Sequence, residues 1–231
     1  EIPLRLVGSE MCIRDRMGAH SVAYYQSTVD ENRGPDSYYS EDGKQPASVW
    51  LRGEKLSEVS AFLGTDNGAI VSGKTVENWF NKAVAPSGAG LGNAPRKDSV
   101  PGFDLTFCAP KSVSLLWGMG ADSDVRGIVD EAHQAAVSQA LDYLSEHAGY
   151  TRKQVKEPAG KRLVVEKLAG ISGVKYEHRT SRAGDPHVHS HVLLANKQLC
   201  RDGKVRTLDG VSLYHEARAA GMVYQATVRE I

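Results

Sequence analysis

Four of the eight histidines of this 231-residue chain stand between positions 178 and 191. His187, His189 and His191 alternate with other residues, so in a β-strand their imidazoles would share one face. His178 ends the preceding strand-like segment, and the turn between them can bring it beside the others. Such imidazoles are costly on a core strand unless something binds them. Three converging from two neighbouring strands suit a divalent metal ion with open positions for a substrate.

The elements that must position these histidines are predicted from hydrophobic patterns and turn signals. Alternating or short apolar runs predict strands, which we place at residues 103–107, 162–166, 173–178, 187–196 and 205–208. Apolar residues at helical spacing predict helices at residues 20–27, 54–63, 76–83, 111–117, 125–147 and 213–229. The short turns at 180–186 and 201–204 join neighbouring strands. The pattern predicts an α+β fold with a central, largely antiparallel β-sheet covered by helices.

Composition narrows the class of protein. Apolar residues make up 41% and charged residues 24%, which excludes collagen-like, coiled-coil and wholly disordered chains. No apolar run approaches the roughly 20 residues that a membrane span needs, and no segment resembles a signal peptide. The three cysteines are far apart, which predicts a reducing compartment rather than a disulfide framework or a zinc knuckle.

The net charge of zero conceals a basic region around the histidines. Residues 151–206 carry 13 Lys and Arg against 5 Asp and Glu. A positive field around a candidate site favours an anionic substrate, most often one that carries phosphate, although a solvated basic surface explains the charge equally well.

Three segments, in this order along the chain, resemble the MobF-type conjugative relaxases of the TraI/TrwC class. Two tyrosine pairs at 24–25 and 38–39 resemble the family's nucleophile region, and GFDLTFCAPKSVS at 102–114 resembles its second hallmark. The run HRTSRAGDPHVHSH at 178–191 resembles its metal motif. The resemblance extends from about residue 20 to the last residue, and WLRG at 50–53 also fits it.

The resemblance implies the palm-like sheet of the HUH endonuclease fold and a relaxase domain over residues 17–231. It also implies a metal site formed by His178, His189 and His191, with His187 as a phosphate contact or a spectator. The expected cofactor is a divalent metal ion: imidazole ligands favour zinc among the candidates, whereas phosphoryl chemistry favours magnesium or manganese.

The activity implied is nicking of one DNA strand by transesterification, with a 5′-phosphotyrosine intermediate. Tyr24 is the expected first nucleophile with Tyr25 as its near rival, and Tyr38 or Tyr39 would serve a second strand transfer. Asp104, at the centre of a predicted strand, can fix the tautomer of a ligand histidine or accept the tyrosine proton.

The resemblance also implies partners. Lys111 and Arg182 are candidate phosphate contacts, although each can equally be a solvated charge. The expected substrate is single-stranded or hairpin DNA at an origin of transfer, and the expected protein partners are relaxosome and coupling proteins. We expect a monomer in the bacterial cytoplasm.

The two ends of the chain carry separate expectations. EIPLRLVGSEMCIRDR at residues 1–16 resembles a translated sequencing adapter, so we expect these residues not to belong to the functional protein. The family's first strand is then absent or replaced by this segment. The last residues stop inside an apolar helical pattern without a cap, which indicates a chain truncated before any helicase region.

Three alternatives use the same histidines differently or not at all. The run at 187–193 also resembles the motif of histidine-triad nucleotide hydrolases, whose middle histidine is a nucleophile, although Ser190 departs from that motif. A cupin-type metal site would expect a glutamate within 192–198, where there is none. A non-catalytic DNA-binding module would not require the histidines.

Overall fold

The structure is a computed structural model, and it describes residues 11–14, 47–96, 99–120, 123–158, 160–181 and 184–230. The predicted helix at 20–27 lies outside the described residues. So do five of the candidate site residues, which are Tyr24, Tyr25, Tyr38, Tyr39 and Arg182.

Nine strands and five helices make up the described part of the chain. The strands are β1 (Met11–Arg14), β2 (Ser48–Arg52), β3 (Gly102–Cys108), β4 (Tyr150–Glu157), β5 (Gly160–Lys167), β6 (Ile171–Thr180), β7 (Pro186–Ala195), β8 (Lys197–Leu199) and β9 (Val205–Thr207). The helices are α1 (Leu56–Leu63), α2 (Gly73–Lys82), α3 (Lys111–Met119), α4 (Ser123–His147) and α5 (Gly210–Glu230). The predicted α+β class is confirmed.

A five-stranded sheet in the order β1-β3-β7-β6-β2 forms the centre of the fold, and each neighbouring pair is antiparallel. The largely antiparallel sheet predicted from the sequence is therefore confirmed. Strands β4 and β5 form a separate two-stranded ribbon, and β8 and β9 form another. The three strands that carry the candidate residues, β3, β7 and β6, are adjacent in the middle of the sheet.

One face of this sheet packs against the two long helices. From the sheet come β3 side chains such as Phe107 and β7 side chains such as Val192, both fully buried. From α4 come Ala136, Ala140 and Leu144, which belong to the apolar stripe predicted at helical spacing. Full burial of a large apolar side chain contributes about 1.5–3 kcal/mol, so this layer stabilises the sheet that holds the site.

The other face changes character along the two central strands. At one end Val174 and Tyr176 of β6 and Leu193 of β7 pack with residues of α1 and α2 into a second apolar cluster. Further along the same face, β6 places His178 and β7 places His191, both half-buried. Because alternate residues face the same side, the histidines extend an apolar surface into a polar one.

The turn between β6 and β7 is held by backbone bonds and by α3. Ser181 N–H donates to Asp185 O over 2.9 Å, and Gly184 adopts a φ of +78°, in the left-handed region that glycine tolerates. A Cβ on Gly118 of α3 would come 2.3 Å from Pro186 Cγ, so only glycine lets this helix approach the start of β7 so closely.

The edge strand β1 comes from the segment that resembles an adapter. Met11–Arg14 pairs with β3, and Arg14 is the Cα partner of Asp104. A stretch within residues 1–16 therefore pairs with β3 at the edge of the sheet. Among the described helices, none is long and apolar enough to cross a membrane.

Candidate functional site

Three imidazoles meet on one face of the central sheet. His178 and His189 are direct Cα partners across β6 and β7, and His191 follows two residues along β7. Their ring centroids are 5.0 Å apart for His178 and His189, 5.4 Å for His178 and His191, and 5.3 Å for His189 and His191. The structure therefore brings together the three histidines that the family resemblance selected, and it places His187 beside them, with its ring centroid 4.6 Å from that of His189.

This spacing fits a shared metal ion. Three imidazoles that bind one ion at nitrogen–metal distances of about 2.0–2.1 Å hold their ring centres roughly 5 Å apart. Within the described residues no group of His, Cys, Asp or Glu forms a ready-made metal site. The rings of His178 and His189 are stacked, with only 19° between their planes. Stacked rings cannot direct in-plane lone pairs at one point, so binding requires one ring to rotate.

The protonation of the histidines also suits metal binding. Burial lowers the pKa of His178 to about 4 and that of His189 to about 2. Nearby positive charge from Arg179 acts on His178 in the same direction. Both rings are therefore neutral at pH 7, and a neutral imidazole keeps the lone pair that a metal ion needs.

On two of the rings, hydrogen bonds determine which nitrogen keeps a lone pair for a metal ion. His189 Nδ1 is 2.8 Å from the carbonyl oxygen of His187, so the ring nitrogen must be the donor. His191 Nδ1 lies 3.1 and 3.2 Å from the two carboxylate oxygens of Asp104. With the proton on Nδ1, Nε2 of each ring is left as the acceptor, which is the arrangement common in metal-binding histidines.

Thr106 completes the contacts around His191. It alternates with Asp104 on β3, and its Oγ1 lies 3.2 Å from His191 Nδ1 and 3.5 Å from Asp104 Oδ1. Sequence reasoning missed Thr106, although strand parity with Asp104 was a signal that could have found it.

Lys111 has partners within the protein. Its ammonium group pairs with Asp185 and donates to the carbonyl oxygen of Pro186 over 2.9 Å. It thereby fastens the first turn of α3 to the turn before the histidine strand. About half of the Lys111 side chain stays exposed.

A second residue missed from the sequence is His133 of α4, which lies on the opposite face of the sheet. Its Nε2 is 2.8 Å from Ser190 Oγ, and Ser190 stands between His189 and His191. Its place at helical spacing within the apolar stripe was a signal, but its partner Ser190 is 57 residues away and no local pattern reveals it.

Comparisons with known proteins find a matching family and a similar sequence. The model of the TrwC relaxase family matches residues 18–231. The multifunctional conjugation protein TraI of Escherichia coli is 32% identical over 144 residues, which cover 56% of this chain and 7% of that protein. The chain thus spans only a small part of the length of this relative.

Solved structures are similar over nearly the whole chain. A copper-bound structure of the conjugative relaxase TrwC in complex with oriT DNA is 25% identical, with a TM-score of 0.69, covering 95% of this chain and 68% of that one. Another metal-bound TrwC complex with oriT DNA, 24% identical, has a TM-score of 0.64 with the same coverage and supports the fold alone.

Proposed function

The chain belongs to the TrwC relaxase family, and we propose that it nicks and religates one strand of DNA at an origin of transfer. The observation that carries this proposal is the cluster of His178, His189 and His191 backed by Asp104 on the central sheet. The similar TrwC structures hold oriT DNA, and one of them holds copper.

The reaction that fits is a transesterification at phosphorus. A tyrosine Oη forms a bond to the scissile phosphorus while the bond from phosphorus to the 3′ oxygen breaks. The 3′ oxygen leaves with a proton, and the 5′ phosphate stays on the protein as a phosphotyrosine. Because the phosphodiester energy is kept in this bond, a 3′ hydroxyl can later reverse the step and religate the strand.

Tyr24 is the proposed first nucleophile, Tyr25 is its rival, and Tyr38 or Tyr39 would serve a second transfer. A phenol with a pKa near 10 is ionised in only about one molecule in 1,000 at pH 7. A nearby base must therefore accept the proton during attack. Asp104 is a candidate, since its carboxylate already accepts a hydrogen bond at the site.

His178, His189 and His191 would hold a divalent metal ion. When bound, the ion would polarise the scissile phosphate and orient it for attack. Neutral imidazole ligands add no negative charge, so the full double charge would act on the phosphate. Their nitrogen atoms favour zinc or copper, whereas phosphoryl chemistry is commonly supported by magnesium or manganese.

The proposed substrate is single-stranded or hairpin DNA, with Lys111 and Arg182 as phosphate contacts. The excess of basic residues between positions 151 and 206 supports an anionic partner. We further propose that the domain acts as a monomer in the bacterial cytoplasm, together with relaxosome and coupling proteins.

The test is covalent capture of DNA by the full 231-residue chain. The protein is incubated with 5′-labelled or 3′-labelled single-stranded oligonucleotides that tile known transfer origins, with Mn²⁺ or with a chelator. We expect a denaturation-resistant adduct that retains only the 3′ label and that forms only when metal is present. His189→Ala should abolish both metal binding and the adduct, whereas His187→Ala, on the same strand face, is the matched control that should retain metal binding.

Three results would count against the proposal. An adduct that forms equally well with the chelator would remove the metal from the mechanism. A nucleotide attached to His189 itself would favour the histidine-triad hydrolases. Tight DNA binding without any cleavage across the tiled origins would favour a non-catalytic binding module.

A further inference from the structure

A buried polar network lies directly behind the three histidines, on the opposite face of the sheet. His133 of α4 is only 1% exposed, and its two ring nitrogens have different partners. Nδ1 is 2.8 Å from the hydroxyl of Tyr224 on α5, and Nε2 is 2.8 Å from Ser190 Oγ on β7. This one imidazole therefore links two helices to the strand that carries two of the three histidines.

The residue that His133 contacts on β7 stands between two of the proposed metal ligands. Ser190 lies between His189 and His191, and it is fully buried. In a strand, a side chain held on one face fixes the backbone from which its two neighbours project to the other face. The position of Ser190 thus sets the positions of the Cα atoms from which the His189 and His191 side chains project.

The same turn of α4 also holds β6. Asp130 pairs with Arg179 over 2.8 Å, and the Gln134 side chain donates to Glu177. Arg179 and Glu177 are the two neighbours of His178, and they too point away from the site. One helical turn, residues 130–134, therefore contacts the residues that flank each candidate ligand.

We propose that His133 is a positioning residue that holds β7, through Ser190, in the register and tilt at which His189 and His191 can share a metal ion with His178. This inference rests on the proposed metal site and deepens it. It assigns His133 no contact with metal or DNA, because the sheet lies between them.

Histidine suits this position for a chemical reason. A neutral imidazole offers one donor and one acceptor at opposite edges of a rigid ring, which matches two hydroxyl partners. Burial lowers the pKa of His133 to about 3, so the ring stays neutral and keeps this pairing at ordinary pH. A buried ring bonded at both edges has little freedom to move, and it transmits the position of α4 to β7.

Two conservative variants separate the two bonds. In His133→Gln the amide nitrogen reaches the place of Nε2 and can keep the bond to Ser190. In His133→Asn the shorter amide reaches only the place of Nδ1 and keeps the bond to Tyr224. Ser190→Ala removes the partner of His133 on β7. Tyr224→Phe removes its partner on α5 and leaves the contact with β7 in place.

The measurement is the dissociation constant for Zn²⁺, titrated into each full-length variant by calorimetry, with the unfolding midpoint as a second readout. His133→Asn and Ser190→Ala should weaken Zn²⁺ binding about tenfold, the low end of the ~10–100-fold cost of losing an outer-shell partner. His133→Gln should retain most of the affinity. Tyr224→Phe should lower the unfolding midpoint without changing the affinity.

The outcomes distinguish this inference from the function on which it rests. A wild-type chain that binds no Zn²⁺ overturns both the metal site and the inference. If the wild type binds Zn²⁺ and Ser190→Ala binds it equally well, the inference is overturned while the proposed function stands. If His133→Asn does not fold, the comparison of Ser190→Ala with Tyr224→Phe still tests the inference, because only Ser190→Ala should weaken Zn²⁺ binding.

Discussion

Asp104 and His191 face each other across strands β3 and β7, with both carboxylate oxygens 3.1 and 3.2 Å from the Nδ1 atom of the imidazole. The Asp104 side chain is only 2% exposed and that of His191 is 15% exposed, so water competes little for this contact. A carboxylate in this place holds the proton on Nδ1 and makes Nε2 a stronger ligand.

Replacing Asp104 with asparagine should therefore weaken metal binding. Asp104→Asn keeps the volume but removes the charge, and we expect the dissociation constant for Mn²⁺ or Zn²⁺ to rise by about 10–100-fold. Calorimetry on the purified chain measures this. Thr106→Val, which removes a weaker contact to the same ring, should have a smaller effect, and an unchanged affinity in Asp104→Asn would contradict the role given to this carboxylate.

Each of the three converging histidines should be required for stoichiometric metal binding. Alanine at His178, His189 or His191 leaves only two of the three proposed ligands, so the metal ion should bind much more weakly. His187→Ala keeps all three proposed ligands and should retain binding. Metal binding should also raise the unfolding midpoint, since a ligand at 100 times its dissociation constant stabilises by about 2.7 kcal/mol. Loss of binding in His187→Ala alone would overturn this ligand set.

Local pattern was sufficient for the elements that pack against a core. The strand at 187–196 and the helix at 125–147 were predicted within two residues of their observed ends, because alternation and a helical apolar stripe are visible in the sequence. Strand β4 was missed because its sequence YTRKQVKE shows no apolar face, whereas its ribbon partner β5 was predicted from the apolar run at residues 163–165. Strand β2 was missed because both its faces are buried, which erases the alternation.

The contacts of the site depend on pairs far apart in the chain. That Lys111 pairs with Asp185, 74 residues away, follows from the approach of α3 to the β6–β7 turn, which composition does not reveal. The place of His133 behind the site depends on the packing of α4 against β7 in the same way. By contrast, a contact between Asp104 and a ligand histidine was anticipated, because the apolar alternation already placed both residues on strands.

His133 should make the metal-free protein less stable in acid. Its folded pKa of about 3 is below the 6.5 of an exposed histidine, mainly because of burial and then of Arg179 and Lys175, with Glu177 opposing. As the pH falls below 6.5 the unfolded chain takes up a proton that the folded chain does not, which removes up to about 1.4 kcal/mol per pH unit.

Comparing the wild type with His133→Gln isolates this contribution, because all other titrating groups are shared. Denaturant unfolding in chelator should show the stability of the wild type falling more steeply than that of the variant between pH 6.5 and pH 4. Parallel curves for the two proteins would show that His133 does not remain neutral in the folded state.

Tyr24 should carry most of the covalent adduct formed with nick-site DNA. Fragmentation of the tryptic peptide that spans both tyrosines of the first pair locates the added mass. Tyr24→Phe should lose most of the adduct while it still binds DNA, and Tyr25→Phe is the matched control. If the adduct persists in Tyr24→Phe and vanishes in Tyr25→Phe, the assignment is wrong by one residue.

Deleting residues 1–16 should lower the unfolding midpoint and change nicking little. Met11–Arg14 supplies backbone hydrogen-bond partners to β3. Without it, the amide and carbonyl groups on that edge of β3 are exposed to water. Backbone pairing does not depend on a particular side chain. In the complete chain, replacing Met11–Arg14 with alternating threonine and valine should therefore leave the unfolding midpoint close to that of the wild type. Thermal unfolding and the oligonucleotide assay on both variants test this. A large loss of nicking on deletion, from a robust activity in the complete chain, would instead show that residues 1–16 belong to the functional protein.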